Sequence, residues 1–177
     1  MKKVLAALTA AVMLAGCSSS AGKIIPVPEG GWTAEELSAQ VYIGEKSVGF
    51  PCTLDELREQ FEVADASLTM GDSFKNSYFL RYNGESVGNV IDSDNDGKAE
   101  KLNLLGTDKQ NSAPITVNGV GLGSTEQELS ERLGGKIGHT DAEDETIFSL
   151  SLSAGGLILV ITGNEKNGVK LIYIDSR

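Results

Sequence analysis

Residues 43–61, IGEKSVGFPCTLDELREQF, and residues 115–133, ITVNGVGLGSTEQELSERL, read as two versions of one segment set 72 positions apart. Identical residues coincide at Ile43/Ile115, Val48/Val120, Gly49/Gly121, Thr53/Thr125, Glu56/Glu128, Leu57/Leu129 and Glu59/Glu131. Phe50/Leu122 and Phe61/Leu133 match in character. These are positions that a fold uses. Thr53-x-x-Glu56 and Thr125-x-x-Glu128 are capping boxes, in which hydroxyl and carboxylate satisfy amide donors left orphaned at a helix start. Leu54, Leu57 and Phe61 in the first segment, and Leu129 and Leu133 in the second, recur at helical spacing and predict one buried stripe each. Gly134-Gly135 supplies a left-handed stop for the second helix.

Downstream of each helix the period changes to two. Tyr78, Leu80 and Tyr82 alternate with Phe79 and Arg81, Asn83-Gly84 is a hairpin turn, Val87 to Ile91 returns, and Lys101 to Leu105 alternates again. The second set runs Ile147 to Leu152, turns at Gly155-Gly156, and continues through Leu157 to Ile161 and Val169 to Ile174. The predicted class is α+β: two tandem repeats, 41–108 and 109–177, each a leading strand, one helix and a three-stranded antiparallel meander.

Upstream lies an address. Met1-Lys2-Lys3 precedes an apolar run from Val4 to Ala15 broken only by Thr9, then Leu14-Ala15-Gly16-Cys17 and three serines. A charged start, a short apolar stretch and small residues before a scissile position form an export signal, too short to remain as a membrane-spanning helix. The segment resembles the lipobox of bacterial lipoproteins, which implies a signal peptide over residues 1–16 and a diacylglycerol on Cys17. Residues 17–40, rich in Ser, Pro and Gly at their start, are expected to form a flexible tether. Without Lys2 and Lys3, 13 of the 15 basic residues face 25 acidic ones, a net charge of −12. That balance argues against nucleic acid and anionic lipid as partners. Cys17 is consumed by its thioether and Cys52 is the only other cysteine, so no disulfide is expected.

The stretch from Gly119 to Gly134 is also similar to the beta-lactamase-inhibitor-protein-like repeats and to the small lipoproteins of the outer-membrane barrel assembly machinery. There, a strand with a glycine-containing turn leads into a capped helix and a meander. The resemblance covers roughly residues 41–177 and implies a binding or assembly protein. It carries over no inhibitory contact residue.

Two patterns invite chemistry. Asp92-Ser93-Asp94-Asn95-Asp96-Gly97 places oxygen ligands at alternate positions with a glycine at the bend, the opening of a calcium loop. The twelfth position, where an EF-hand needs a bidentate carboxylate, is Asn103, so Asp92, Asp94, Asp96 and Glu100 are the candidate Ca²⁺ ligands. An ordinary hairpin turn is the other open reading. The acidic run 141–145 reads as a solvated loop. Cys52 and His139, the only free thiol and the only imidazole, lack any third member that would make them a catalytic pair. No serine-hydrolase elbow, zinc-binding helix or phosphate loop occurs, so no enzyme is expected.

The expected protein is a lipid-anchored, extracytoplasmic, non-catalytic module for protein binding or envelope assembly, monomeric and without cofactor, with calcium as the one open candidate. Its partner is a protein of the envelope, met by the exposed sheet face and the groove between repeats. Tyr78, Tyr82 and Tyr173 are the candidate aromatic anchors. The alternatives are a calcium-stabilised envelope protein and a hydrolase of envelope polymers.

Overall fold

A computed structural model describes residues 23–106, 114–142 and 145–176. The signal segment, Cys17 and the junction expected at 108/109 lie outside the described residues. The elements run α1 (Ala34–Ala39), β1 (Val41–Ile43), β2 (Lys46–Ser47), β3 (Cys52–Thr53), α2 (Leu54–Arg58), β4 (Glu62–Asp65), α3 (Ser67–Met70), a 3-10 turn (Asp72–Phe74), β5 (Ser77–Tyr82) and β6 (Glu85–Ile91). They continue β7 (Lys98–Ala99), β8 (Lys101–Leu105), β9 (Ile115–Val117), α4 (Glu126–Leu133), β10 (Gly138–Ala142), β11 (Glu145–Ala154), β12 (Leu157–Asn164) and β13 (Gly168–Ser176). The protein is α+β, and its strands pair antiparallel throughout the described residues.

Both predicted helices start where their capping boxes put them. Thr53 Oγ1 accepts the Glu56 N–H at 3.2 Å while the Glu56 carboxylate accepts the Thr53 N–H at 3.0 Å; Thr125 and Glu128 repeat the exchange at 3.2 and 2.9 Å. A third box, Thr33 with Glu36, opens α1. The stripe residues Leu54, Leu57, Phe61, Leu129 and Leu133 are all buried in one core. Gly134 and Gly135 take positive φ and end α4.

The main sheet has the order β10-β11-β12-β13-β8-β6-β5-β4. Four strands of this sheet follow each helix, β4, β5, β6 and β8 after α2 and β10 to β13 after α4, one more than the predicted meander. The additions, β4 and β10, are the two sheet edges. All five residues of β10 are exposed, so no apolar alternation marks it in the sequence. One row of side chains crosses the sheet on the helix side: Leu150, Ile161, Ile172, Leu104, Gly88, Leu80 and Val63 are successive register partners. Leucines and isoleucines in this row are fully buried beneath α2 and α4. At the β13/β8 junction the paired backbones run straight through, so within the sheet the two halves are continuous where a groove between repeats was expected.

The amino-terminal segment also departs from its reading. Where described, it is docked and does not stand off as a tether. The side chain of Asn118, fully buried, accepts the Ile25 N–H at 2.9 Å and donates to the Ile25 and Arg132 carbonyls. Trp32 Nε1–H donates to the Leu133 carbonyl at 2.8 Å, and Leu37 enters the core. Pro26 and Pro28 deny this stretch the donors and the periodicity that mark a packed element in sequence.

Gly88 shows how closely the centre of the sheet is packed. A Cβ there would meet the Asn103 carbonyl of the neighbouring strand. Gly88→Ala is therefore expected to destabilise the fold by about 1–3 kcal/mol, the usual cost of overpacking; a shift of the chemical denaturation midpoint to lower denaturant at unchanged slope would register it.

Candidate functional site

Two surfaces carry the sequence candidates. The first is the loop from Ile91 to Glu100 between β6 and β8. Asp92 is 1% exposed, and its carboxylate accepts the N–H groups of Asp96 and Gly97, each at 3.0 Å. Asp94 accepts the same Asp96 N–H at 3.2 Å, and Glu100 accepts the Ser93 N–H at 2.6 Å. Asn95 and Gly97 adopt positive φ, which folds the loop back on itself. The Gly97 carbonyl accepts the Leu54 N–H at 2.9 Å, bracing the loop against the start of α2.

One carboxylate oxygen from each of Asp92, Asp94, Asp96 and Glu100 lies within 4.8 Å of the others. Oxygens bound to a single calcium at about 2.3–2.6 Å sit no farther apart than about 5 Å, so the spacing suits one ion. Asn103 belongs to β8, and its amide donates to the Asn89 side chain at 3.4 Å, away from this role. Glu100, ninth in the loop, is what closes the set. Desolvation is the largest single influence on the Asp96 carboxyl and raises its pKa, but hydrogen bonds and charge from Lys98, with a hydrogen bond from Asp94, together outweigh it and hold the carboxyl below its ordinary value. Lys98 Nζ stands 3.2 Å from Asp96.

The second surface is the sheet face opposite the helices. Across it Ser151, Val160, Tyr173, Asn103, Asn89, Phe79 and Ala64 are successive register partners. Ile158 lies opposite Asp175 and Leu171 opposite Leu105 in flanking rows, with Leu105 47% exposed. The helices α1, α2 and α4 bury their apolar residues on the other side. What remains is a half-exposed field of aliphatic, aromatic and amide side chains. Tyr173 belongs to it and donates its hydroxyl to Asp175 at 2.9 Å.

Tyr78 and Tyr82 do not. Both pack against the core beside Leu80, and the Tyr82 ring lies 5.9 Å from that of Phe61 at 57°. Their parity was the readable signal: they share a face with Leu80, whereas Tyr173 alternates with Ile172 and Ile174. The same alternation puts Phe79 and Val160 on the Tyr173 face, Phe79 beside inward Leu80 and Val160 between inward Leu159 and Ile161.

Cys52 and His139 are not brought together. Cys52 is 2% exposed in β3, and His139 Nε2 meets Glu126 at 2.9 Å from the edge strand β10. A shallow cleft of about 530 Å³ beside the start of α4 is lined by Glu126, Phe148 and Asn164. The Asn164 amide there donates to Glu145 and its oxygen accepts the Asn167 N–H. Of the acidic run 141–145, Asp141 and Glu145 flank a hairpin between β10 and β11, and residues 143–144 lie outside the described residues.

Residues 1–18 match the prokaryotic membrane lipoprotein lipid attachment site. The chain is thus a lipid-anchored membrane lipoprotein with a signal peptide, and Cys17 is the only cysteine within the match. No helix among the described residues is long and apolar enough to cross a membrane. No curated protein and no solved structure matches the chain.

Burial, and behind it the charge of Glu56, pushes the Cys52 thiol up to about 12 from an ordinary 9.0. The folded state therefore holds this proton more tightly than the unfolded chain. The contribution is intact below about pH 9 and is lost as pH rises toward 12. Cys52→Ala is expected to flatten that part of the alkaline stability profile, measured by denaturation at several pH values, and native wild type should resist thiol reagents until unfolded.

Proposed function

We propose that this lipoprotein is a non-catalytic binding module, lipidated at Cys17, that holds a partner of the cell envelope on the open face of its main sheet on the extracytoplasmic side. The observation that carries the reading is the row from Val160 through Tyr173 to Phe79, half-exposed in the middle of an eight-stranded sheet whose core helices α1, α2 and α4 pack on the other face. Large contiguous apolar patches on a soluble surface mark sites of contact. Asn89 and Asn103 at the centre add hydrogen-bonding groups that fix orientation without charge. Each half of the main sheet is built from four strands that follow a capped helix, β4, β5, β6 and β8 after α2 and β10 to β13 after α4, which supports reading the body as a fused duplicate whose halves make a single binding surface.

A photo-crosslinking residue placed at Val160 in intact cells is expected to capture a partner, while one at Arg58 on the helix side does not. Tyr173→Ala should weaken capture by about tenfold or more, as truncation of an interface anchor does, and Tyr82→Ala should act on stability instead. Equal capture from both faces, or none from Val160, would sink the reading.

Calcium bound by Asp92, Asp94, Asp96 and Glu100 is the second reading, favoured by the 4.8 Å spacing of their oxygens. An ion there would neutralise part of the acidic charge and pin the connection between β6 and β8. Calcium at a hundred times its dissociation constant should then stabilise the fold by about 2.7 kcal/mol. Asp94→Asn, exposed and free of core contacts, is expected to abolish that gain; no heat in a calcium titration of the wild type would rule the site out.

A further inference from the structure

The connection between β4 and β5 differs from its counterpart at the other end of the sheet. Eleven residues, 66–76, join β4 to β5, whereas β10 and β11 are joined by only two, 143–144. The longer connection folds into α3 and the 3-10 turn and presents Leu68 at 84%, Met70 at 51% and Phe74 at 39% exposure. Among the described residues only Ile24 and Leu105 are other large hydrophobic side chains exposed to a similar degree. Three of the five therefore crowd into seven positions.

Three further facts bear on what covers them. The connection holds one acid, Asp72, and one base, Lys75, so it is neutral within a strongly acidic body. Its backbone is largely self-satisfied: the N–H groups of Thr69, Met70, Gly71, Phe74 and Lys75 all donate to carbonyls of the same segment. Backbone groups paired in this way lose little on leaving water. Lastly, the chain outside the described body is short. Eight residue steps separate Cys17 from Ile25, where Asn118 fixes the backbone, and they span at most about 28 Å. A body of this size has a radius of gyration of about 15 Å, so such a reach cannot lift it far from the bilayer. Its surface chemistry then selects the side that touches.

We infer that the connection 66–76 is a membrane-contact tip, inserting Leu68, Met70 and Phe74 into the interfacial layer of the bilayer that carries the lipid anchor. Anchor and tip together give two attachments and fix the orientation of the sheet relative to the membrane. The acidic remainder of the body stays clear of the lipid headgroups. This contact is independent of any partner on the open sheet face.

The test uses the full lipidated protein reconstituted at low density in phosphatidylcholine vesicles. Leu68→Cys and Phe74→Cys variants each carry an environment-sensitive fluorophore, and Glu85→Cys, at the start of β6 beside the far end of β5, serves as the reference. Buried Cys52 takes up no label in the folded protein. Expected at 68 and 74 are blue-shifted emission and strong quenching by lipids bearing a nitroxide in the upper acyl chain, with loss of both effects at 85. Water-like emission at 68 and 74 would overturn the inference. So would a blue shift without nitroxide quenching, which would mean that a second copy of the chain covers the tip, and so would equal quenching at 85.

Discussion

Five residue pairs between Leu171–Asp175 of β13 and Lys101–Leu105 of β8 join the two halves of the main sheet, and the pairing of β1 with β9 ties the same halves together a second time. Without the β13–β8 pairs the main sheet would be two four-stranded sheets, each with an additional edge. The pairing carries Ile172 next to Leu104 and Ile174 next to Leu102 on the helix side, so the core runs on without a break from Leu150 to Val63. The same register places Tyr173 next to Asn103 on the opposite side. Because side chains alternate strictly along a strand, the continuity that builds the core also builds the open face. The proposed binding surface is thus a consequence of how the halves are joined.

The amino-terminal segment is the second constraint. Asn118 spends its side-chain amide on the Ile25 and Arg132 backbones, and the Trp32 indole closes the exposed end of α4 at Leu133. Both fill orphaned backbone groups at the helix carboxyl end, which otherwise need water or a capping residue. A lipid anchor attached just upstream of such a clamp acts on the body directly. With only a few residues between lipid and clamp, the orientation of the sheet becomes something the membrane can influence, and the apolar connection between β4 and β5 is the surface best suited to set it.

The loop between β6 and β8 shows the same economy. Its carboxylates are aligned by backbone N–H groups from Ser93, Asp96 and Gly97, and the Gly97 carbonyl is held by the start of α2. Like charges brought this close need a counter-charge. Lys98 supplies part of it beside Asp96, and a divalent ion in the middle would supply more. In either form the loop ties the strand order to the helix layer at the point where the first half of the sheet turns.

Signals that complete themselves within a few residues were legible. The lipobox, the capping boxes at Thr53 and Thr125, the Asn83-Gly84 turn, the alternating strands and the spacing of Asp92, Asp94 and Asp96 all depend on neighbours close along the chain, so the sequence alone determined the membrane address, the α+β class and the acidic loop. Whatever depends on a partner far along the chain was decided by the tertiary structure. Polar β10 is a strand only because β11 offers its edge, and Pro-bearing residues 24–28 dock only because Asn118, 93 residues beyond Ile25, reaches them. Tyr78 and Tyr82 go inward, and Tyr173 outward, because parity fixes which residues share a face but only the helices fix which face is buried.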